Sequence, residues 1–344
     1  MVEATMSLPR TDRLNVLFLP LYSIQGASSR YRVYYYADKL LSYGINARIL
    51  HPSAYNLSAK MIYVLRLPVA LWWADVVVIQ KKLFRTPLYI LIRLLNSRTI
   101  FDFDDAIYMD DTVKDMLHRV LMSSRHIIVG NQQLESYARR FTDQVTRIAT
   151  PVDAQVFTPV RREHSGNSVV TIGWIGAGWN QFHLENFEPV FERLSQCKGN
   201  TVQLKVISDR TFRFRYCQLP VVNVAWSLST ELEALRSVDI GIMPLTDDEF
   251  TRGKCAFKAL QCMSLGIATV ASPVGMNCEV IDHGVNGMLA ATEEEWINVL
   301  QALIENAAFR EKLGQEARRT VELKYTYEVT TPKLAAVLRR VASQ

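Results

Sequence analysis

The 344-residue chain has no unbroken run of eighteen apolar residues, no internal repeat and no low-complexity tract. No helix that spans a bilayer is therefore expected, and the second absence argues against solenoids and propellers. Five cysteines, at positions 197, 217, 255, 262 and 278, form an odd set with neither metal-site nor disulfide-framework spacing. Six histidines, at 51, 118, 126, 164, 183 and 283, show no ligand spacing either. No metal and no resident cofactor is expected, and none of the histidines is assigned to catalysis. The opening residues MVEATMSLPRTDR are too polar for a signal peptide. The expected setting is the cytoplasm, with peripheral attachment at the inner face of the membrane as a variant of it.

What is present is an ordinary globular composition, 49% apolar and 21% charged, at a length that suggests two domains. The charge is uneven. Residues 1 to 160 hold 19 Lys+Arg against 13 Asp+Glu, and the remainder hold 20 against 21. The first half therefore faces anions. Lys81 to Arg98, KKLFRTPLYILIRLLNSR, has five basic residues and no acidic one. Lys81, Lys82, Arg85 and Arg93 would suit an anionic membrane surface, while the plain alternative is a strand edge followed by a core helix from Pro87. No nucleic-acid partner is expected.

Short β-rich runs alternate with helical patterns, which argues for parallel sheets covered by helices. Strands are expected at 15–21, 45–50, 75–80, 99–103, 126–129 and 145–149, with helices at 30–41 and 131–141. The stretch TPVDAQVFTPVRREHSGNS then breaks the pattern. A second series follows, with strands from 169 and near 203–208, 221–224, 239–243 and 267–271, and helices over 184–194 and from 229. This gives two Rossmann-like domains, 1–155 and 169–327, joined by a linker at 156–168.

The most informative segment is RGKCAFKALQCMSLGIATVASPVGMN, from Arg252 to Asn277. A helix over about 255–265 would present unpaired N–H groups and its positive dipole end to an anion. Lys254, Lys258 and Gln261 fall at i, i+4 and i+7 on one face. Two ammonium groups could hold a diphosphate, and the amide could hydrogen-bond a hydroxyl such as that of a ribose. The alternative is a surface amphipathic helix with solvated lysines.

This segment, with EVIDHGVNGMLA after it and DIGIMPLTDDEFTRGKC before it, closely resembles the carboxy-terminal domain of family 4 retaining glycosyltransferases. SSRYRVYYYADKLLSYGI, TIFDFDDAIY and HIIVGNQQLESYA resemble that family's amino-terminal domain. The resemblance implies a GT-B fold, two Rossmann-like domains facing each other across a cleft, with the final helix, 328–344, crossing back to the first domain. It implies a nucleoside-diphosphate-sugar donor, a glycan or lipid-linked acceptor, retention of anomeric configuration, and a place in polysaccharide biosynthesis. Donor-binding positions carried over are Arg252, Lys254, Cys255, Ala256, Phe257, Lys258 and Gln261. The family's glutamate pair is replaced here by Gly253 and Gln261, and Ala177 and Asn180 stand where an Arg and a Lys often hold pyrophosphate.

Two further places invite chemistry. SIQGASSRYR places Gly26, Ser28, Ser29 and Arg30 before a helix, where Gly26, Ser29 and Arg30 could meet a phosphate or sugar; a capped helix start is the alternative. Gly176, after the strand expected from 169 in TIGWIGAGWN, suits close approach of a ligand. Asp104 and Asp105, at a strand's carboxyl end, could orient an acceptor hydroxyl or take its proton, with Lys258 acting on the leaving phosphate. The competing reading uses Asp102 and Asp104, which share a strand face, as an Asp-x-Asp metal site in a metal-dependent transferase. Helix capping, or pairing with Arg30 or Arg32, is the structural reading of the same carboxylates. The expected function is metal-independent, retaining glycosyl transfer; the alternative is a non-catalytic homologue that binds a nucleotide sugar or a partner protein. A nucleotide-sugar epimerase ranks last for want of an acid/base set.

Overall fold

A computed structural model describes residues 13–51, 56–159 and 169–344. Most of the expected linker therefore lies outside the described residues. The first series of elements runs β1 (Leu14–Pro20), α1 (Ala27–Ser29), α2 (Tyr35–Leu40), β2 (Ile45–Ile49), α3 (Leu57–Trp73) and β3 (Val76–Gln80). It continues through α4 (Thr86–Leu95), β4 (Thr99–Phe103), α5 (Lys114–Ser123), β5 (His126–Val129), α6 (Gln132–Ala138) and β6 (Val145–Arg147). The second runs β7 (Val170–Ile175), α7 (Phe182–Glu185), α8 (Glu188–Lys198), β8 (Val202–Ser208), β9 (Val221–Ala225), α9 (Glu231–Arg236) and β10 (Ile240–Met243). It closes with α10 (Glu249–Arg252), α11 (Phe257–Ser264), β11 (Ala268–Ala271), α12 (Asn277–Val280), β12 (Met288–Leu289), α13 (Glu293–Glu305), α14 (Ala307–Lys324) and α15 (Tyr327–Ala342).

These elements form two compact units, Met1–Pro151 with Tyr327–Gln344, and Val152–Thr326. Each is built on a six-stranded sheet, ordered β2-β1-β3-β4-β5-β6 in unit 1 and β12-β11-β10-β7-β8-β9 in unit 2. All the paired strands are parallel. Parallel sheets are covered on both faces, which is why β3 (VVVIQ) and β4 (TIFDF) are buried at every position. In both sheets strand order reverses beside the first strand of the series, the position at whose carboxyl ends α/β proteins bind ligands.

In unit 1 the core joins Val16, Phe18, Val78 and Ile100 of the sheet to Tyr36 and Leu40 of α2 and to Tyr327, Leu334, Leu338 and Val341 of α15. The Tyr327 hydroxyl donates to the Tyr31 carbonyl at 2.8 Å, and its ring meets Tyr36 edge-on at 5.0 Å. In unit 2, Trp174, Phe191, Leu204, Ile242, Val270, Trp296 and Leu300 form the core. Val152 bridges Thr326, and Arg318 donates to the carbonyls of Ala154, Phe157 and Ser264. Residues 152–159 are thus fastened to unit 2, a few residues before the boundary expected at 155.

Side-chain caps set several starts. Asn56 accepts from Ala59 N ahead of α3, Asn131 from Leu134 N ahead of α6, and Thr292 with Glu295 forms a reciprocal capping box on α13. One expected helix, 184–194, is divided into α7 and α8, because Pro189 occupies the first turn of a new helix.

Helix α14 passes so close to the end of α11 that a Cβ on Gly314 would stand 2.0 Å from the Gly266 carbonyl oxygen. In an open helix Gly→Ala is stabilising by about 1 kcal/mol. Here the clash is with backbone and the sign reverses. Gly314→Ala is expected to lower stability by roughly 1–3 kcal/mol in urea unfolding; a variant at least as stable as the parent would show that this approach is not tight.

Candidate functional site

The carboxyl ends of β7 and β10 and the start of α11 bring together Trp174, Gly176, His183, Lys254 and Lys258. Helix α10 is set by its own capping box, in which Asp248 accepts from Thr251 N at 2.7 Å. Gly253 ends that helix, and Lys254, Cys255 and Ala256 lead into α11, with Ala256 in the left-handed region at φ 49°. The helix thus begins at Phe257, two residues later than expected, and Lys254 precedes it. The two ammonium groups still converge, for a different reason: a left-handed corner turns the chain, so shared helix spacing is not what unites them.

Lys258 places its ammonium 4.4 Å from the centroid of the Trp174 ring, an attractive cation–π contact. Gly176 makes room for it, since a Cβ there would lie 2.5 Å from Lys258 Nζ. Lys258 is half-buried by area but densely surrounded. That desolvation, with repulsion from Lys254 second, lowers its pKa to about 7. Lys254 lies 3.4 Å from Asn180 Oδ1 and over the rings of Phe250 and Trp179. His183 is buried, its Nε2 has no hydrogen-bond partner, and burial together with Lys254 and Lys258 lowers its pKa to about 4. It is therefore a neutral imidazole in a positive neighbourhood. His183 also lines a cleft of about 200 Å³ with Asn186, Thr246, Ser272, Glu293 and Trp296. The lysines do not line that cleft, and His183 is common to both.

The remaining expected donor residues divide. Gln261 is buried and donates to Glu231 of α9, so it is a paired core amide. Arg252 is exposed and forms a fork with Asp247, Nε to Oδ1 at 2.6 Å and Nη2 to Oδ2 at 3.1 Å. Its charge is matched before any ligand arrives. Cys255 and Ala256 are buried and Phe257 half-buried, so what they offer is backbone at the start of α11.

In unit 1 the loop after β1, where Gly26, Ser29 and Arg30 are expected to meet a ligand, is braced by its own hydrogen bonds. Arg30, 1% exposed, donates to the carbonyls of Ile24 and Gln25, and Ser29 donates to Gln80 Oε1 at 2.6 Å. Gly26 is required by its neighbour, since a Cβ would stand 2.4 Å from Tyr22 Cβ. Gln80 donates on to Ser28, which donates to Asp104 at 2.7 Å. Asp102 pairs through both oxygens with Arg32, and Lys81 bridges Asp104 at 3.4 Å and Asp105 more closely. Burial pushes the Lys81 ammonium down, but Asp104 and Asp105 outweigh it and raise its pKa; burial opposes the same attraction at Asp104, whose pKa ends below its usual value. Burial raises Asp102 against the pull of Arg32. Asp104 and Asp105 are consequently countercharged by Lys81, and Asp104 is a weaker base than a free carboxylate. Lys81, 8% exposed, is part of this cluster and does not reach a surface. Arg93 donates to Ser97 O and Thr99 Oγ1, Lys82 lies over the Tyr63 and Phe84 rings, and Arg85 is exposed.

Sequence reasoning did not single out Trp174, His183 or Glu231. A tryptophan and a histidine in core-forming runs carry no signal of a ligand, and a single glutamate in a helix carries none of its partner.

Residues 169–306 match the model of the family described as glycosyl transferases group 1. The match falls within unit 2. No curated protein matches the sequence. Among solved structures, HepE from Anabaena, in complex with UDP and glucose, superposes at a TM-score of 0.70 with 13% identity, covering 95% of this chain and 100% of that one. Sucrose-phosphate synthase from Thermosynechococcus elongatus gives 0.72 at 13% identity, over 96% and 100%, and a glycosyltransferase from Rickettsia africae gives 0.68 at 12%, over 96% and 99%. At such identities the likeness is one of fold: two parallel-sheet Rossmann-like units of the GT-B type.

Because Lys258 is held below the lysine value of 10.5, protonating it in the folded protein costs stability. That cost is full below about pH 7 and fades as pH rises toward 10.5. Spectra of [13C]dimethyl-lysine are expected to show one lysine titrating near pH 7, absent in Lys258→Gln and moved upward by added pyrophosphate. Titration of every lysine in the ordinary range would mean the ammonium is solvated.

Proposed function

We propose that the protein is a glycosyltransferase that moves a sugar from a nucleoside-diphosphate sugar to a glycan or lipid-linked acceptor. The observation that carries this reading is the desolvated ammonium of Lys258, set beside Lys254 at the start of α11 and the glycine end of β7. Two cations and a helix start form a place for a diphosphate. As the glycosidic bond to the donor breaks, negative charge grows on the departing β-phosphate. Cations already fixed there lower the barrier without reorganising, and their effect is larger out of water than in it. Donor binding and protonation of Lys258 then favour each other.

The HepE complexes with UDP and with UDP-glucose support UDP-sugars as the first donors to test. Metal independence is supported by the pairing of Asp102 with Arg32 and of Asp104 and Asp105 with Lys81, which takes away the carboxylates a metal site would use. Asp104 and Asp105 remain the proposed acceptor-side carboxylates, acting by orienting a hydroxyl, and the lowered pKa of Asp104 disfavours proton abstraction by it. Retention of configuration rests on the resemblance to family 4 alone. The positive balance of the first half supports an acceptor presented at an anionic membrane surface and a place in polysaccharide assembly.

Incubation with a panel of nucleotide sugars and membrane extract, read by product mass spectrometry, is expected to show transfer from one donor class. Lys258→Ala should lower kcat on the order of a hundredfold while keeping the parent melting temperature, the size of loss typical when one fixed donor to a developing anion is removed. Parent-like turnover in the folded variant overturns the phosphate assignment. Tight nucleotide binding with no turnover of any donor would identify a non-catalytic binding protein.

A further inference from the structure

We infer that α3 and α4 together form a docking face for an anionic lipid surface, which lies in their plane and is not crossed by them. The inference stands apart from the donor chemistry of unit 2.

Helix α3 is apolar on two faces. Ala59, Tyr63, Leu67 and Leu71 repeat every four residues and are buried. The opposite arc carries Leu57, Met61, Leu65 and Trp72, which are 75%, 58%, 73% and 86% exposed. At 1.5 Å per residue these seventeen residues present a ridge about 25 Å long. Helix α4, packed against α3, buries Ile92 and turns outward Ile90 and Leu94, the latter 79% exposed. Large exposed side chains scattered singly need no explanation, but so many on two adjoining helices mark an interaction surface.

Charge selects the partner. From Leu57 to Arg98 the chain carries seven Lys+Arg and one acidic residue, Asp75, which accepts from Asn15 N at 2.8 Å. Lys60 and Arg66 are exposed on α3, Arg85 stands exposed at the start of α4, and Arg98 lies exposed beyond its end. A second copy of the chain, docked face to face about a twofold axis, would set these like charges against themselves. A bilayer with anionic headgroups instead accepts the apolar ridge at the acyl boundary and the cations at the phosphates, with Trp72 at the level where tryptophan is enriched. Among the described residues no helix is long and apolar enough to cross a membrane. The contact differs from the one expected from Lys81 to Arg98 alone: the apolar ridge is mostly α3, and Lys81 is not part of it.

The test is flotation of the full chain with phosphatidylcholine vesicles, with and without phosphatidylglycerol, at low and high salt. Binding should require phosphatidylglycerol and fade with salt. Lys60→Ser, Arg66→Ser and Arg85→Ser together should weaken partition on the order of a hundredfold, from about tenfold or less per cation. Leu65→Ser with Trp72→Ser should weaken it comparably at unchanged melting temperature, since both side chains are exposed. Should a variant fold poorly, quenching of the parent's fluorescence by brominated lipid, compared with Trp72→Phe, decides whether Trp72 enters the bilayer. No binding to anionic vesicles at low salt, binding unaffected by both variant sets, or a vesicle-free dimer broken by Trp72→Ser would each overturn the inference.

Discussion

The site in unit 2 depends on one unfavourable placement, an ammonium taken out of water and left beside a second cation. Lys258 gains its contact with Trp174, but that contact does not offset desolvation and the repulsion of Lys254, which is why its pKa falls to about 7. Everything near it is arranged around that ammonium. Gly176 has no side chain because there is no space for one, and His183 stays neutral because a third positive charge there would be costlier still. Such an arrangement is relieved by anything that supplies negative charge, and the proposed phosphate contact rests on that relief.

Unit 1 carries the opposite solution. Lys81 adopts φ 59°, a conformation uncommon outside glycine, and is buried, yet two carboxylates meet its ammonium. The chain of hydrogen bonds from Tyr22 N through Ser29, Gln80 and Ser28 to Asp104 joins the loop after β1 to the ends of β3 and β4. A satisfied buried network of this kind rigidifies, and its charges are no longer available as free reagents. Two lysines of one chain thus have contrasting electrostatic surroundings: Lys81 is neutralised internally, and Lys258 has no carboxylate partner among the described residues.

The alternation of apolar runs made both sheets legible, since a parallel strand buried on both faces is a short, unbroken β-branched run such as VVVIQ or VTIGWI. The cation pair was legible too, but its geometry was not. Helical spacing suggested one face for Lys254 and Lys258, whereas the left-handed Ala256 is what turns the chain, and no residue type announces alanine in that conformation. In the unit 1 loop, serines, glycine and arginine suit phosphates and loop carbonyls equally well, so the carbonyl and amide partners that Arg30 and Ser29 take were not legible from their types. The exposed arc of α3 was hidden for a related reason. An apolar helix reads as buried all round, and sequence periodicity cannot tell which of its two apolar faces has no neighbour.

The pairing of Gln261 with Glu231 bears on the glutamates that the family 4 pattern would lead one to expect. Glu231 is 5% exposed and Gln261 3%, and the amide donates to the carboxylate. A glutamate at 261 would bring two carboxylates into that one contact in a buried setting, forcing one to take up a proton or the pair to separate. The amide is therefore what Glu231 requires of its partner, because only a donor at 261 can meet a buried acceptor there. Position 261 thus holds a hydrogen-bond donor, and the carboxylate of the pair stands on α9. Gly253 is different in kind: it ends α10 and leads into the corner that brings Lys254 to the cluster, so its place is set by the turn of the backbone.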